Sequence, residues 1–386
     1  MLQFLTYLFI AIYTATVIGI ILVVILGNRN PLKTIPWVVV LIFAPVVGLV
    51  FYFFFGQDLR RKRIISRRTY KRLMVYALPA HVRRSDAPVP AACQSLSTLL
   101  TNTSQAVSFY GSRLTHYGDG ASKMTALLEE IEKARDHIHI LYYIFCDDET
   151  GARLQQALIR KAKEGVKVRV LYDDVGCNGV KKEFFQQMRD AGAEVHALLH
   201  VRFPMLTDRV NYRNHRKIVV IDGRTGFIGG MNIADRYVRG TQWGTWRDTH
   251  FRIEGSGAAG LQASYLSDWS ASTNRHIAGP EYFPAAKRYT DDILQVVAGG
   301  PFGKWRTLLQ AESYAVANAR RRVWIQTPNY LPSDVLNTAL QTAALAGTDV
   351  RLMLPARSDS KLIDLPSHSY LDDMMRAGVK ILFYEP

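Results

Sequence analysis

The chain is 386 residues long, enough for two or three domains, and its formal charge of +15 points to an anionic partner: lipid head groups, nucleic acid or phosphorylated substrates. Its three cysteines, Cys93, Cys146 and Cys177, have neither metal-ligand nor disulfide-framework spacing, and no compact cluster of His and acidic residues appears. These features argue against a metal centre and a disulfide scaffold, and leave neutral thiols in a reducing compartment. The hydrophobic share, 48%, is high beside 21% charged residues, and the apolar residues are concentrated in the first sixty or so positions.

Residues 1–26 are almost continuously apolar and carry no charge. A bilayer-spanning helix needs about 20 such residues. A signal peptide would have a basic start and a shorter apolar core. Gly27-Asn28-Arg29-Asn30-Pro31 breaks the helix, and a second apolar run, 35–55, follows with Trp37 and Tyr52 near its ends. Two spanning helices are therefore expected over 1–57. After Gly56 come Arg60-Arg61-Lys62-Arg63, Arg67-Arg68 and Lys71-Arg72, whereas only Arg29 and Lys33 lie between the runs. The positive-inside rule places both the N-terminus and the remainder of the chain on the cytoplasmic side. The basic run would also lie against anionic head groups, or serve simply as a stop-transfer flank.

Residues 58–120 read as a basic juxtamembrane connector, with some helix around 92–100. From Met124 onward helix and strand signals alternate: helix 127–133, strand 137–145, helix 151–164, strand 166–172, helix 182–190, strand 194–199. This order predicts an α/β fold with a largely parallel sheet. The series then recurs. Ala134-Arg135 is echoed by Ala319-Arg320 before a strand at 322–330. Glu164-Gly165-Val166-Lys167-Val168-Arg169 is echoed by Ala346-Gly347-Thr348-Asp349-Val350-Arg351. Met188-Arg189-Asp190-Ala191-Gly192 is echoed by Met375-Arg376-Ala377-Gly378, before a strand at 379–384. Shared order and spacing of three blocks indicate two copies of one unit, at 121–285 and 286–386.

The first copy runs on into Asn211–Asn232, NYRNHRKIVVIDGRTGFIGGMN. Ile218-Val219-Val220-Ile221 reads as a buried strand, Asp222-Gly223 as a tight turn, and 225–229 as the returning strand. On a strand His215 and Lys217 would share a face. An imidazole to attack phosphorus and an ammonium to hold phosphate oxygens suit phosphoryl chemistry. His137, His139, His196 and His200 read as strand residues without chemistry; Trp243, Trp246, His250 and Trp269 read as core aromatics, with an acyl or glycerol site as the alternative.

His215-x-Lys217-x4-Asp222 followed by Gly229-Gly230-x-Asn232 resembles the signature of the phospholipase D superfamily, with six matching positions over eighteen residues. Further stretches resemble bacterial cardiolipin synthases: the paired N-terminal runs, Tyr172-Asp173-Asp174-Val175-Gly176, Gly244-Thr245-Trp246-Arg247-Asp248-Thr249-His250, Leu261-Gln262, Asp268-Trp269, and Gln326-Thr327-Pro328-Asn329-Tyr330-Leu331-Pro332. Leu331 stands where the family usually has an aromatic residue. The resemblance implies two transmembrane helices followed by a duplicated phospholipase D-type α/β sandwich, the second copy incomplete, in the bacterial inner membrane with its catalytic part cytoplasmic. It implies that two phosphatidylglycerols give cardiolipin and glycerol through a phosphohistidine, with neither cofactor nor metal and with no nucleic acid as partner.

In those terms His215 is the nucleophile and Lys217 holds the phosphoryl oxygens. Asp222 holds an imidazole in its tautomer or supports the turn. Asn232 and Gly230 close the substrate-binding site, the glycine through donors or through backbone fit, and Asp248 orients a partner. The family's second His-x-Lys-x4-Asp motif does not occur before Pro386; by the repeat spacing it should begin within about two dozen residues of that point. Losing a general acid costs about 10²–10⁴ in rate. Residues 1–386 are therefore expected to be close to inactive as a monomer. The alternatives are an inactive truncated homologue, another phospholipase D-type phosphodiesterase such as a nuclease, and a homo-oligomer in which each chain contributes a His215 segment.

Overall fold

A computed structural model describes residues 1–27, 31–52, 87–198, 213–242, 244, 246–300, 303–357 and 361–385. The basic run expected at 60–72 lies outside the described residues, as do His200, Asn211, Tyr212 and Trp243.

The first apolar run is one helix, α1 (Leu2–Gly27), of 26 residues. The second is not one helix. It forms α2 (Pro31–Phe43) and α3 (Pro45–Phe51), of 13 and 7 residues, interrupted where Pro45 has no N–H to continue the ladder. Leu41 and Tyr52 are buried against Ile21, Trp37 and Val38, which packs the apolar pieces on one another. Some side chains of α1 lie outside the described residues, and among the described residues no helix is long and apolar enough to cross a membrane.

The described part of the expected connector, 87–120, is folded. It contains α4 (Ala91–Ser104), β1 (Ser108–Tyr110) and β2 (Arg113–Tyr117), and β2 is an edge strand of the main sheet. Its partner is β8, described below, and the register pairs Arg113 with Glu254. A half-exposed edge strand shows little alternation, so only its distant partner reveals it.

The main body continues with α5 (Gly120–Glu132), β3 (His137–Tyr142), α6 (Glu149–Lys163), β4 (Lys167–Asp173), α7 (Lys182–Asp190), β5 (Glu194–Leu198), β6 (Ile218–Ile221), β7 (Thr225–Gly229), α8 (Asp235–Val238), β8 (His250–Glu254) and α9 (Ala258–Thr273). Asp119 and Asp148 cap α5 and α6 by accepting from Ser122 N and Gly151 N at 2.8 and 3.0 Å. The strands form one sheet in the order β2-β8-β7-β6-β3-β4-β5. Only β3, β4 and β5 run parallel, so the sheet is mixed rather than largely parallel. β6 enters antiparallel to β3, and the Asp222-Gly223 turn sets the next reversal. Both residues have positive φ, +52° and +63°, so the chain reverses at once and β7 returns antiparallel with no crossover helix. All six residues of β3 are buried, because the strand is covered on both faces. On one face Ile138, Ile140, Val219 and Phe227 pack with Leu127, Leu154 and Phe184; on the other Leu141, Ile218 and Val220 pack with Leu261, Tyr265 and Trp269 of α9.

The remainder comprises β9 (Ile293–Gln295), α10 (Thr307–Ala317), β10 (Arg322–Gln326), α11 (Asp334–Leu345), β11 (Asp349–Pro355), α12 (Lys361–Ser369), α13 (Leu371–Arg376) and β12 (Lys380–Tyr384). The parallel β10-β11-β12 sheet repeats β3-β4-β5. His137 pairs with Lys167 and Arg322 with Asp349; Arg169 pairs with Glu194 and Arg351 with Lys380. The echoed glycines are the helix stops: Gly165, Gly192, Gly347 and Gly378 have φ of +90°, +96°, +92° and +90°. The boundary near 286 is bridged, since β9 pairs antiparallel with β1 and Thr307 Oγ1 donates to Thr103 O.

Candidate active site

The segment Arg213–Lys217 is not a strand. It is an extended approach to β6, which begins at Ile218. His215 and Lys217 nevertheless meet: Lys217 Nζ lies 3.2 Å from His215 Nδ1 and donates to His215 O at 2.8 Å. Tyr143, just past β3, brackets the pair, with its ring 4.6 Å from the imidazole and 5.4 Å from the ammonium.

Two carboxylates hold this approach in place. Asp173, fully buried at the end of β4, accepts from Val175 N and Gly176 N at 3.0 Å through Oδ1 and from Asn214 N at 3.2 Å through Oδ2, and it faces the Arg213 guanidinium at 3.6 Å. Asp268 of α9 accepts from Asn214 Nδ2 at 3.0 Å and pairs with Arg216, which also reaches Gly299 O. Asn214 Oδ1 accepts from Arg216 N, closing the loop. Neither Asp173 nor Asp268 is given a role by sequence reasoning, and Tyr143 escapes it altogether. For the two aspartates the signal is the family resemblance of Tyr172-Asp173-Asp174-Val175-Gly176 and Asp268-Trp269.

Lys217 is 3% exposed, and burial pulls its ammonium down to about 8 against the attraction of Asp248. His215 is open to solvent on one side, yet desolvation first and Lys217 second lower its pKa, with Asp173 opposing them. Asp248 is held above the usual carboxylate range by burial, offset by Thr249 N and Lys217.

Asn232 is buried and anchored: its Oδ1 accepts from Ile144 N at 3.1 Å and its Nδ2 donates to Tyr237 Oη at 2.6 Å. One amide hydrogen is thereby committed, which leaves the other for a ligand oxygen. Gly230 is also sterically confined. A Cβ there would sit 2.0 Å from Asp248 Oδ1, so the missing side chain makes room for that carboxylate.

Asp222 is not at the site. It lies at the opposite end of β6 from His215, roughly 20 Å along an extended chain. Its carboxylate accepts from the backbone nitrogens of Arg135, Asp136 and His137, each at 2.9 Å. It ties the β6–β7 turn to the start of β3 and orients no imidazole of the site. His137 and His139 are buried in a ring cluster with Tyr265 and Tyr282, Trp269 is buried beside Tyr265, and Trp246 lies beside Tyr237 and Arg236. Among the described residues no three His, Cys, Asp or Glu side chains gather to hold a metal.

Chemically, the arrangement presents one imidazole with Nδ1 facing a buried amine and Nε2 left for an electrophile, above a basic floor suited to an anionic phosphoryl group.

Residues 127–242 and 314–386 match the family described as "Cardiolipin synthase, PLD-like domain", and residues 14–57 match "Phospholipase_D-nuclease N-terminal". The chain is 39% identical over 376 residues to cardiolipin synthase 2 of Bacillus cereus, covering 94% of this chain and 72% of that protein. It is 35% identical over 376 residues to the major cardiolipin synthase ClsA of Bacillus subtilis, covering 95% and 78%. Among solved structures, the phosphatidylserine synthase of Haemophilus influenzae superposes with a TM-score of 0.53 at 16% identity, over 76% of this chain and 79% of that one, a likeness of fold. The chain belongs to the cardiolipin synthase family of the phospholipase D superfamily.

Proposed function

We propose that this protein is a phosphatidyltransferase that makes cardiolipin from two phosphatidylglycerols, and that His215 is the atom-transferring nucleophile. The observation that carries the reading is the His215–Lys217 contact at 3.2 Å, held by Asp173 and Asp268, in a chain of this family. Nε2 of His215 attacks phosphorus, the phosphorus–oxygen bond to glycerol breaks, and glycerol leaves with a proton from a general acid. The hydroxyl of a second phosphatidylglycerol then attacks the phosphohistidine and returns its proton to that group. For attack through Nε2 the ring hydrogen has to sit on Nδ1, so Lys217 must turn from Nδ1 to the phosphoryl oxygens. A bound diester supplies the charge that draws it there. Residues 1–386 hold one His-x-Lys segment, and in this reading the acid comes from a second copy of that motif, as the family resemblance implies.

The lipid substrate is approached through the N-terminal helices, which we read as embedded in the bacterial inner membrane with the sheet domain on its cytoplasmic side. Phe4, Leu5, Tyr7, Ile18, Ile42 and Phe43 are exposed on α1 and α2, an apolar surface too extended to face water. That surface favours a lipid over a nucleic-acid substrate.

The reading is tested in phosphatidylglycerol vesicles. A polypeptide carrying both segments should make cardiolipin, and His215→Ala should abolish product while leaving vesicle binding intact. Residues 1–386 alone should make none. Unchanged synthesis by His215→Ala would remove it from the mechanism.

A further inference from the structure

A row of side chains crosses the sheet beneath the site. The ladder pairs Leu141 with Ile218 and Ile218 with Ile228, so Tyr142, Lys217 and Gly229 stand next in line, and Gly229 is paired with His250. Lys123 of α5 closes over this row and donates to Tyr142 Oη at 2.9 Å, with Met124 Sδ at 3.5 Å. Lys123 and His250 are fully buried. A Cβ on Gly229 would lie 2.5 Å from His250 Nδ1, so the ring occupies the space a side chain would fill. Among the described residues neither ring nitrogen of His250 has a hydrogen-bond partner. Three basic side chains thus share one interior region, and among the described residues Asp248 is the acid whose charge reaches it, through Lys217. A buried amine with no counter-ion costs stability that a Met or Leu of similar volume would not.

We propose that Lys123, set against Tyr142 and His250 beneath Lys217, is a positioning residue for diester binding that takes up a proton when an anionic phosphodiester occupies the site above it. The inference rests on the reading of His215 and Lys217 as a phosphodiester site. Burial pulls Lys123 to about 7, and His250, lowered first by burial and then by the charges of Lys123 and Lys217, stays neutral well below the ordinary imidazole range. A diester charge raises the affinity of Lys123 Nζ for a proton, which comes from solvent; no bond to phosphorus is made or broken. Diester affinity therefore falls as pH rises above about 7.

The test uses the full chain in detergent with glycerophosphoglycerol, whose single diester charge does not titrate. Calorimetry at pH 7.5 in two buffers of different ionisation enthalpy gives the protons taken up per diester. Net uptake is expected, with the larger share lost in Lys123→Met and retained in the surface control Lys133→Met. Uptake in Lys123→Met equal to the unsubstituted chain, binding without uptake, or no binding would each overturn the proposal. A second measurement needs no substitution: the ¹⁵N resonance of Lys123 Nζ should move from amine-like to ammonium-like on adding the diester, and a fixed resonance overturns it. His215→Ala separates the two readings, because proton uptake should survive in it whether or not synthesis does.

Discussion

Asp222 Oδ1 lies 2.9 Å from the backbone nitrogen of His137, and Asp222 N donates to His137 O at the same distance. The acidic member of the His-x-Lys-x4-Asp pattern is thus a clasp between two strands, far from the imidazole it accompanies in sequence.

Asp222→Ala should therefore lower stability and spare turnover. The substitution removes an ionised acceptor from three backbone N–H groups and puts Ala at φ +52°, for a loss on the order of 3 kcal/mol. Denaturant midpoints measure the loss, and synthesis per folded molecule, assayed in a polypeptide carrying both His-x-Lys segments, should stay within about threefold. A hundredfold fall in turnover without a shift in midpoint would return Asp222 to the catalytic set.

In a polypeptide carrying both His-x-Lys segments the pH–rate profile should be bell-shaped. His215 must be neutral to attack, and its lowered pKa carries the acid limb below the ordinary imidazole value. Lys217 must be an ammonium to hold the phosphoryl group, so the rate declines as pH rises through about 8. Lys217→Met should cost about 10²–10³ in rate and also move the acid limb upward, because its charge no longer depresses His215. An acid limb that stays in place would contradict that coupling.

Gly230→Ala should displace the Asp248 carboxylate, which a Cβ would approach to 2.0 Å. We expect a loss of about 1–3 kcal/mol from overpacking together with reduced turnover. In an Asp248→Ala background the stability penalty of Gly230→Ala should shrink, as a double-mutant cycle would measure. Additive penalties would mean the two residues do not meet.

His137 links stability to acid. Burial lowers its folded pKa to about 4, below the unfolded value of about 6.5, so the unfolded chain binds the proton more readily. The contribution is complete above pH 6.5 and is lost as pH falls toward 4, on the order of 3 kcal/mol for this residue. His137→Phe should flatten the fall in urea midpoint between pH 7 and pH 4.5. A fall as steep as in the unsubstituted chain would place the acid sensitivity elsewhere.

Much of the site's scaffold was legible from local pattern. Ile218-Val219-Val220-Ile221, Asp222-Gly223 and the return at 225–229 form the strands and turn that their β-branched run and turn chemistry imply. The echoed Gly165/Gly347 and Gly192/Gly378 sit at matching helix stops, because only a residue without Cβ takes that φ cheaply. Asp173 and Asp268 were quoted without a role, since their partners Asn214 and Arg216 are brought to them only by folding. The β2 strand was missed for the same reason: its partner β8 lies far along the chain.

The sequence by itself determined where the strands and helices alternate and that the unit repeats, and it pointed to His215 and Lys217 as a candidate phosphoryl site, because periodicity, turn residues and motif spacing are local properties of a chain. Only the tertiary structure decided that Asp222 is a clasp, that Gly230 makes room for Asp248, and that Lys123 and His250 lie beneath Lys217. Those assignments depend on strand order and register, which put residues far apart in the chain within contact distance and take them out of water.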